Sequence, residues 1–148
     1  MQNGTYSFID VTASITGPGG SFDLGYGSAN AKEGITITRT QDRNNMIIGA
    51  DGSAMHSLRA DRSGSVTVRL LKTSNRNAML QNMFNAQTID ASLWGQNLIS
   101  ISHKTLKDKA VCSSCAFLRD PDMTYAEDGD IVEWTFQCGQ MDIIRGSL

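Results

Sequence analysis

The stretch Gly64-Ser65-Val66-Thr67-Val68-Arg69-Leu70-Leu71-Lys72-Thr73-Ser74 decides the fold class. Val66, Val68 and Leu70 fall on one face of an extended chain, and Ser65, Thr67, Arg69 and Leu71 on the other. A period of two belongs to a strand with one buried and one wet face. At Thr73-Ser74 the period changes. Ser74 suits a helix N-cap, because its hydroxyl accepts an orphan backbone N–H. Met79/Met83 and Leu80/Phe84 then recur four apart. The spacing predicts one helix from Asn75 to about Ala86, or about 74–87 with its caps, roughly three turns long. A full capping box is absent, since Asn77 stands where Glu or Gln is needed.

Upstream of this stretch, Gln41 to Ser63 differs in character. It holds Asp42-Arg43-Asn44-Asn45, the apolar piece Met46-Ile47-Ile48, the turn Gly49-Ala50-Asp51-Gly52, and Met55-His56-Ser57-Leu58. Asp51-Gly52 is a hairpin signal, so 41–63 reads as a long two-stranded arm projecting from the core. Further upstream, Ile9 to Ile15 alternates as a strand and Gly17-Pro18-Gly19-Gly20 stops it. Ser21 to Asn30 reads as an irregular connection or short hairpin, and Gly34 to Arg39 as a second strand.

Downstream, Leu98 to His103 and Ala110 to Arg119 read as strands around the charged turn Lys104–Lys109. Asp120-Pro121-Asp122 ends the second of these. Ile131 to Cys138 is a strand with Val132, Trp134 and Phe136 on one side, and Met141 to Ile144 is a last, separate strand. About eight or more strands with one helix and no repeat or linker predict a single domain over 1–148. The expected fold is mainly β, an antiparallel sandwich or barrel, with the helix covering one open end or face.

Composition supports this. The 148 residues are 40% apolar and 19% charged, with 14 Gly and 2 Pro. That is enough to fill one core, and the Gly content suits strands joined by turns. A net charge of −2 argues against a protein that coats nucleic acid. No 18-residue apolar run and no basic-then-apolar start occur, so neither a membrane span nor a secretory signal is expected.

Chemical motifs are weak. Cys112 and Cys115 have the CxxC spacing of redox pairs and zinc knuckles, with Cys138, His103 and His56 as the only further ligands considered. In a regular strand an offset of three puts two side chains on opposite faces. The cysteines therefore read as buried small hydrophobes. Asp120, Asp122, Glu127, Asp128 and Asp130 lack the ligand spacing of a calcium loop and read as turn chemistry. Gly25-Tyr26-Gly27 has Asn30 where a dinucleotide fingerprint needs its third glycine. No Ser lies in a GxSxG turn beside a triad base. No catalytic, cofactor or metal site is expected. The helix face Met79, Leu80, Met83 and Phe84 reads as core.

Apolar residues do occur on both faces of several strands: Leu70 and Leu71, Phe8 and Ile9, Cys112/Leu118 against Val111/Phe117. A sheet with one buried face needs only one apolar set. The surplus points to surface buried against other subunits.

Ordered pieces of the chain resemble a known family. They are Tyr6-Ser7-Phe8 with Asp10-Val11, Gly17-Pro18-Gly19-Gly20, Glu33-Gly34-Ile35-Thr36-Ile37, Ile48-Gly49-Ala50-Asp51-Gly52 and Met55-His56-Ser57-Leu58. Further on come Ser63-Gly64, Thr67 to Ser74, Trp94-Gly95-Gln96-Asn97, Pro121 to Ala126 and Glu133-Trp134-Thr135-Phe136. Nearly the whole chain is spanned, and it resembles the tail tube proteins of contractile-tailed bacteriophages, which are similar in design to type VI secretion tube proteins. The resemblance implies a β-sandwich or barrel with one flanking helix. It also implies rings of six copies stacked into a hollow tube, a conduit for DNA that passes without specific binding. The implied partners are other copies, a surrounding sheath protein, a tape-measure protein in the lumen, and baseplate and terminator proteins at the ends. The implied location is the virion tail, assembled in the host cytoplasm.

Within that frame the arm is the element expected to reach a neighbouring subunit. Met46, Ile47, Ile48, Met55 and Leu58 are its candidate buried contacts, His56 lies among them, and Arg43, Arg59 and Arg62 are candidate salt-bridge partners. Net negative charge suits a passage for DNA, since acids along a lumen repel phosphates. The alternatives are another tail ring (a baseplate hub or tail terminator) or a small β-barrel metal-binding module.

Overall fold

The computed structural model describes residues 4–147. Nine strands and one α-helix occur among them: β1 Val11–Gly17, β2 Gly20–Asp23, β3 Asn30–Arg39, β4 Asn44–Ile48, β5 Ala54–Leu58, β6 Gly64–Leu71, α1 Arg76–Gln87, β7 Asn97–His103, β8 Asp108–Phe117 and β9 Ile131–Ile144. Seven strands form one sheet in the order β2-β1-β7-β8-β9-β6-β3, and β4 pairs only with β5. Every pairing is antiparallel. The chain is 49% strand and 12% helical, and its sheet curls into a half-barrel. Of the two architectures expected, the sheet follows the barrel form as an open half-barrel, with α1 rather than a second large sheet covering the buried face.

The decisive stretch behaves as its period dictates. Val66, Val68 and Leu70 of β6 are fully buried while Ser65, Thr67 and Arg69 lie on the opposite face. β6 pairs with β9, Val66 opposite Phe136 and Val68 opposite Trp134. Leu80 and Met83 of α1 drop into the same cluster. Phe117 meets Phe84, Trp134 and Phe136 with ring centroids 5.5, 5.9 and 4.8 Å away, a run of inclined contacts that fills the centre. No helix of the described residues is long and apolar enough to cross a membrane.

Several local expectations are corrected. Phe8–Asp10 is a 3-10 turn, so the first strand begins at Val11 and not at Ile9. The Ser7 hydroxyl accepts the Ile9 N–H and stabilises that turn. Ser21–Asp23 completes a hairpin with β1, leaving only the following residues irregular. At the helix start Asn75 makes no side-chain cap. The Ser74 hydroxyl instead accepts the Arg76 N–H at 3.2 Å and donates to the Ser28 carbonyl at 2.6 Å. Met79 is exposed at the margin of α1 rather than part of the core; the buried positions are Leu80, Met83 and Gln87.

The largest departures share one cause. Cys112 and Cys115 both point into the core, although an offset of three should separate them. Ser114 takes a left-handed φ of +53°, which inserts an extra outward residue into β8 against β7. Phe117 therefore shares the inner face with Cys112, contrary to the grouping regular alternation predicts. Opposite Ser114, Gly139 and Gln140 are both exposed, so β9 breaks its alternation at the same place. That break imitates a strand end, yet Ile131–Ile144 is a single strand of 14 residues.

Gly17 shows how tightly the helix end is fitted. Gln87 and Asn97, both buried, exchange side-chain hydrogen bonds at 2.7 and 3.1 Å, and Gln87 also donates to the Pro18 carbonyl. A Cβ on Gly17 would collide with the Asn97 side-chain oxygen. Gly17→Ala is expected to cost about 1–3 kcal/mol by overpacking that amide pair. Chemical denaturation checks this, and an unchanged midpoint would contradict the fit described.

Candidate assembly interface

Between β3 and β6 the chain leaves the sheet as a ribbon whose strand residues are all exposed. The register Met46↔His56, Ile47↔Met55 and Ile48↔Ala54 distributes the side chains over two faces. Met46, Ile48 and His56 share one face with Leu58; Ile47 and Met55 occupy the other. Met46, Ile47, Ile48 and Met55 are each more than half exposed and Leu58 is 79% exposed. A lone two-stranded ribbon is marginal in water, and apolar residues on both of its faces find no cover within this chain. Its tip is the loop Gly49–Ser53, where Gly49 N–H reaches the Ser53 carbonyl at 2.7 Å. Gly52 there has φ +88°, a conformation that favours glycine.

The root of the ribbon is pinned. The Arg39 guanidinium donates to the Arg62 and Met141 carbonyls at 3.1 and 2.8 Å. Arg62 itself pairs with Asp142 of β9, so this candidate intersubunit cation already has a carboxylate in its own chain. Arg43 Nε donates to the Arg59 carbonyl at 3.1 Å, and the Arg59 N–H donates to the Arg43 carbonyl at 2.8 Å. Asn44 Nδ2 lies 3.3 Å from His56 Nδ1. The nine candidate residues thus lie on one ribbon and its root.

The unburied face of the seven-stranded sheet is rich in hydroxyls. Thr36, Thr67 and Thr135 stand in one cross-strand row, and Ser14 opposite Ser100 in another. Arg69 meets Glu133 at 3.6 Å, and Asp142 is held by Arg62, so much of the charge on this face is internally balanced. Sequence reasoning anticipated acids along a passage and did not single out this face. Its signal was present in the polar half of each alternating strand.

A groove of about 610 Å³ opens between α1 and the connection 118–130. Ala78, Pro121, Val132 and Trp134 line it, with Asp120 and Asp122 beside them. Met123 and Tyr125 are 80% and 78% exposed. Lys72 lies over the Tyr125 ring at 4.4 Å and donates to the Thr124 carbonyl, which ties the connection to the end of β6. Apolar residues in a turn-rich acidic stretch were the clue in the sequence.

The candidate chemical groups have structural partners. His103 Nδ1 accepts the Leu106 N–H at 3.1 Å, which leaves Nε2 to donate to the Ser7 carbonyl at 3.0 Å. With Tyr6 stacked on it at 5.1 Å, His103 holds the segment before β1. His56 stands apart on the ribbon. Cys112, Cys115 and Cys138 are buried together, Cys115 and Cys138 with sulfurs 2.7 Å apart. Among the described residues no group of three His, Cys, Asp or Glu is arranged to hold a metal.

A hydrogen bond to Cys138 and then burial push the Cys112 thiol far up. Cys138 is drawn down by Cys112, but Cys115 and burial outweigh this and raise it to about 12. Thiols held neutral react poorly with maleimide. The native chain is expected to stay unlabelled and the denatured chain to take the reagent at all its cysteines, as intact-mass measurement would read. Folded values above the unfolded 9.0 mean stability intact below about pH 9 and falling as pH rises toward 12. A denaturation midpoint flat across that window would contradict the burial.

A family model described as bacteriophage PhiTE tail tube protein matches residues 3–146. The chain belongs to this tail tube family. No curated protein matches it. Among solved structures, this family member is similar to a chain of an extracellular contractile injection system, the PVC sheath/tube terminator in its extended state. The TM-score is 0.60 at 12% identity, over 96% of this chain and 98% of that one. It is also similar to a chain of the anti-feeding prophage tube-terminating cap, with TM-score 0.55 at 11% identity over 99% and 94%. A chain of the anti-feeding prophage baseplate gives 0.57 at 10% identity over 97% of both chains. At such identities the likeness is one of fold, and the tail tube family is a family of tail structural proteins.

Proposed function

We propose that the chain is the repeating subunit of a hollow tail tube. Copies close into hexameric rings, the rings stack, and the tube is the conduit for DNA inside a contractile sheath. The observation that carries this reading is the β4–β5 ribbon, with uncovered apolar side chains on both faces and a root fastened to the sheet. The sheet also ends in open edges at β2 and the ten-residue β3, which closure into a ring would pair or cover. A hydroxyl-rich face on which Lys109 is an exposed cation outside the two ion pairs offers little cationic grip on phosphates and suits a surface along which DNA slides. The role is structural and not enzymatic. Tape-measure protein fills the lumen before DNA does, and baseplate and terminator proteins close the ends. Assembly takes place in the host cytoplasm, and the product resides in the virion tail.

Similarity to terminator and baseplate chains supports a second reading, a single ring at one end of the tail. Negative-stain electron microscopy of the concentrated protein separates the two. Long tubes of uniform diameter are expected; single rings would favour the second reading, and monomers alone would refute both.

A further inference from the structure

Cys112, Cys115 and Cys138 are all the cysteines of the chain, and all three are free and buried on the inner face of β8 and β9. Regular alternation from Cys112 would send Cys115 outward. The left-handed Ser114 turns it back inward, directly opposite Cys138 in the antiparallel register. Direct partners in such a pair have Cα atoms about 4.5–5.5 Å apart. A disulfide spans Cα separations of about 4.4–6.8 Å. The Cys115 and Cys138 sulfurs are already in contact at 2.7 Å. Cys112 reaches Cys138 only through a thiol hydrogen bond, and its own partner across the strands is Met141.

We infer that Cys115 and Cys138 are a modification site: they close into a cross-strand disulfide in an oxidising medium, while Cys112 stays a thiol. The oxidant is a low-molecular-weight disulfide. One protein sulfur, as thiolate, attacks it; a mixed disulfide forms and one small thiol leaves. The second protein sulfur then attacks the mixed disulfide; the protein S–S bond forms and the second small thiol leaves. The protein gives up two electrons and two protons, and the small disulfide takes both as it becomes two thiols. Burial makes the native pair slow to attack, so exchange runs while the chain folds or while β8 and β9 open transiently. The folded register then holds the product. β8 ends at Phe117 and β9 starts at Ile131, so the bond closes a loop that contains the whole connection 118–130. It restricts the unfolded chain and makes the fold harder to open. A chain that passes from a reducing cytoplasm to an oxidising exterior meets this change. The bond itself does not depend on the tube reading.

Refolding of the full chain from urea in a buffer of oxidised and reduced glutathione tests this. The thiol count, read in denaturant, is expected to fall from 3 to one, with a mass loss of about 2 Da for the two thiol hydrogens. Peptide mapping should place the link between Cys115 and Cys138. The urea midpoint should rise on oxidation and return on reduction. Cys112→Ser should form the same link, and Cys138→Ser should keep both remaining thiols. Where a serine variant fails to fold, the wild-type map decides alone. Three thiols retained in the oxidised buffer, stable glutathione adducts in place of the link, a link that includes Cys112, or a midpoint unmoved by reduction would overturn the inference.

Discussion

Replacement of Asn44–Ser57 by a Gly-Gly turn is expected to leave a folded monomer and to abolish tube formation. Strands β4 and β5 expose every residue, so their removal takes nothing from the core. The cut ends already lie together, since the Arg59 N–H meets the Arg43 carbonyl at 2.8 Å. Arg39, which fastens the root through the Arg62 and Met141 carbonyls, is untouched. The stability change should therefore stay within about 0.5 kcal/mol, the range of surface substitutions. Assembly should fall by orders of magnitude, because Met46, Ile47, Ile48 and Met55 leave together, and burying an aliphatic or Met side chain contributes about 1.5–3 kcal/mol. Thermal denaturation and electron microscopy on one sample decide it. Tubes from the shortened chain would refute the ribbon's role, and an unfolded product would refute its independence from the core.

Trp134→Ala is expected to be the most damaging single change to the fold. Trp134 is 2% exposed, meets the Phe117 ring at 5.9 Å, and donates its indole N–H to Asn77 Oδ1 at 3.1 Å. Truncation leaves a cavity where β9, β8 and α1 converge and strands the Asn77 oxygen. The expected cost is about 3–5 kcal/mol. A domain of this size has a total stability of about 5–15 kcal/mol, so the variant should unfold at far lower urea. Trp134→Phe keeps the ring contact and loses the hydrogen bond, and should cost about 1–2 kcal/mol less than Trp134→Ala. A midpoint shift for Trp134→Ala equivalent to less than about 1.5 kcal/mol would mean that the aromatic cluster is not the centre of the core.

Much of this molecule was legible in its sequence. Alternation in 64–71 identified β6 and its buried face, and the four-residue recurrences after Ser74 identified the helix. The Asp51-Gly52 turn between short apolar runs identified the ribbon. What escaped was governed by contacts between distant residues. Ser114 is left-handed because β8 must keep Cys112, Cys115 and Phe117 all facing inward against β9. Nothing in Cys112-Ser113-Ser114-Cys115 announces that, since a serine at this φ is sterically disfavoured and only the surrounding sheet holds it there. The matching break at Gly139-Gln140 disguised one long strand as two.

The amino-acid order alone determined the periods, the turns and the choice of which residues are greasy, because each depends on neighbours within a few positions along the chain. Tertiary structure decided the strand order β2-β1-β7-β8-β9-β6-β3 and the hydroxyl-rich face. It also decided that Arg62 binds Asp142 and that ribbon and groove lie at opposite ends of β6. These outcomes depend on which distant segments meet, and that is set by the joint burial of Trp134, Phe136, Phe117 and Met83 in one core rather than by any local preference.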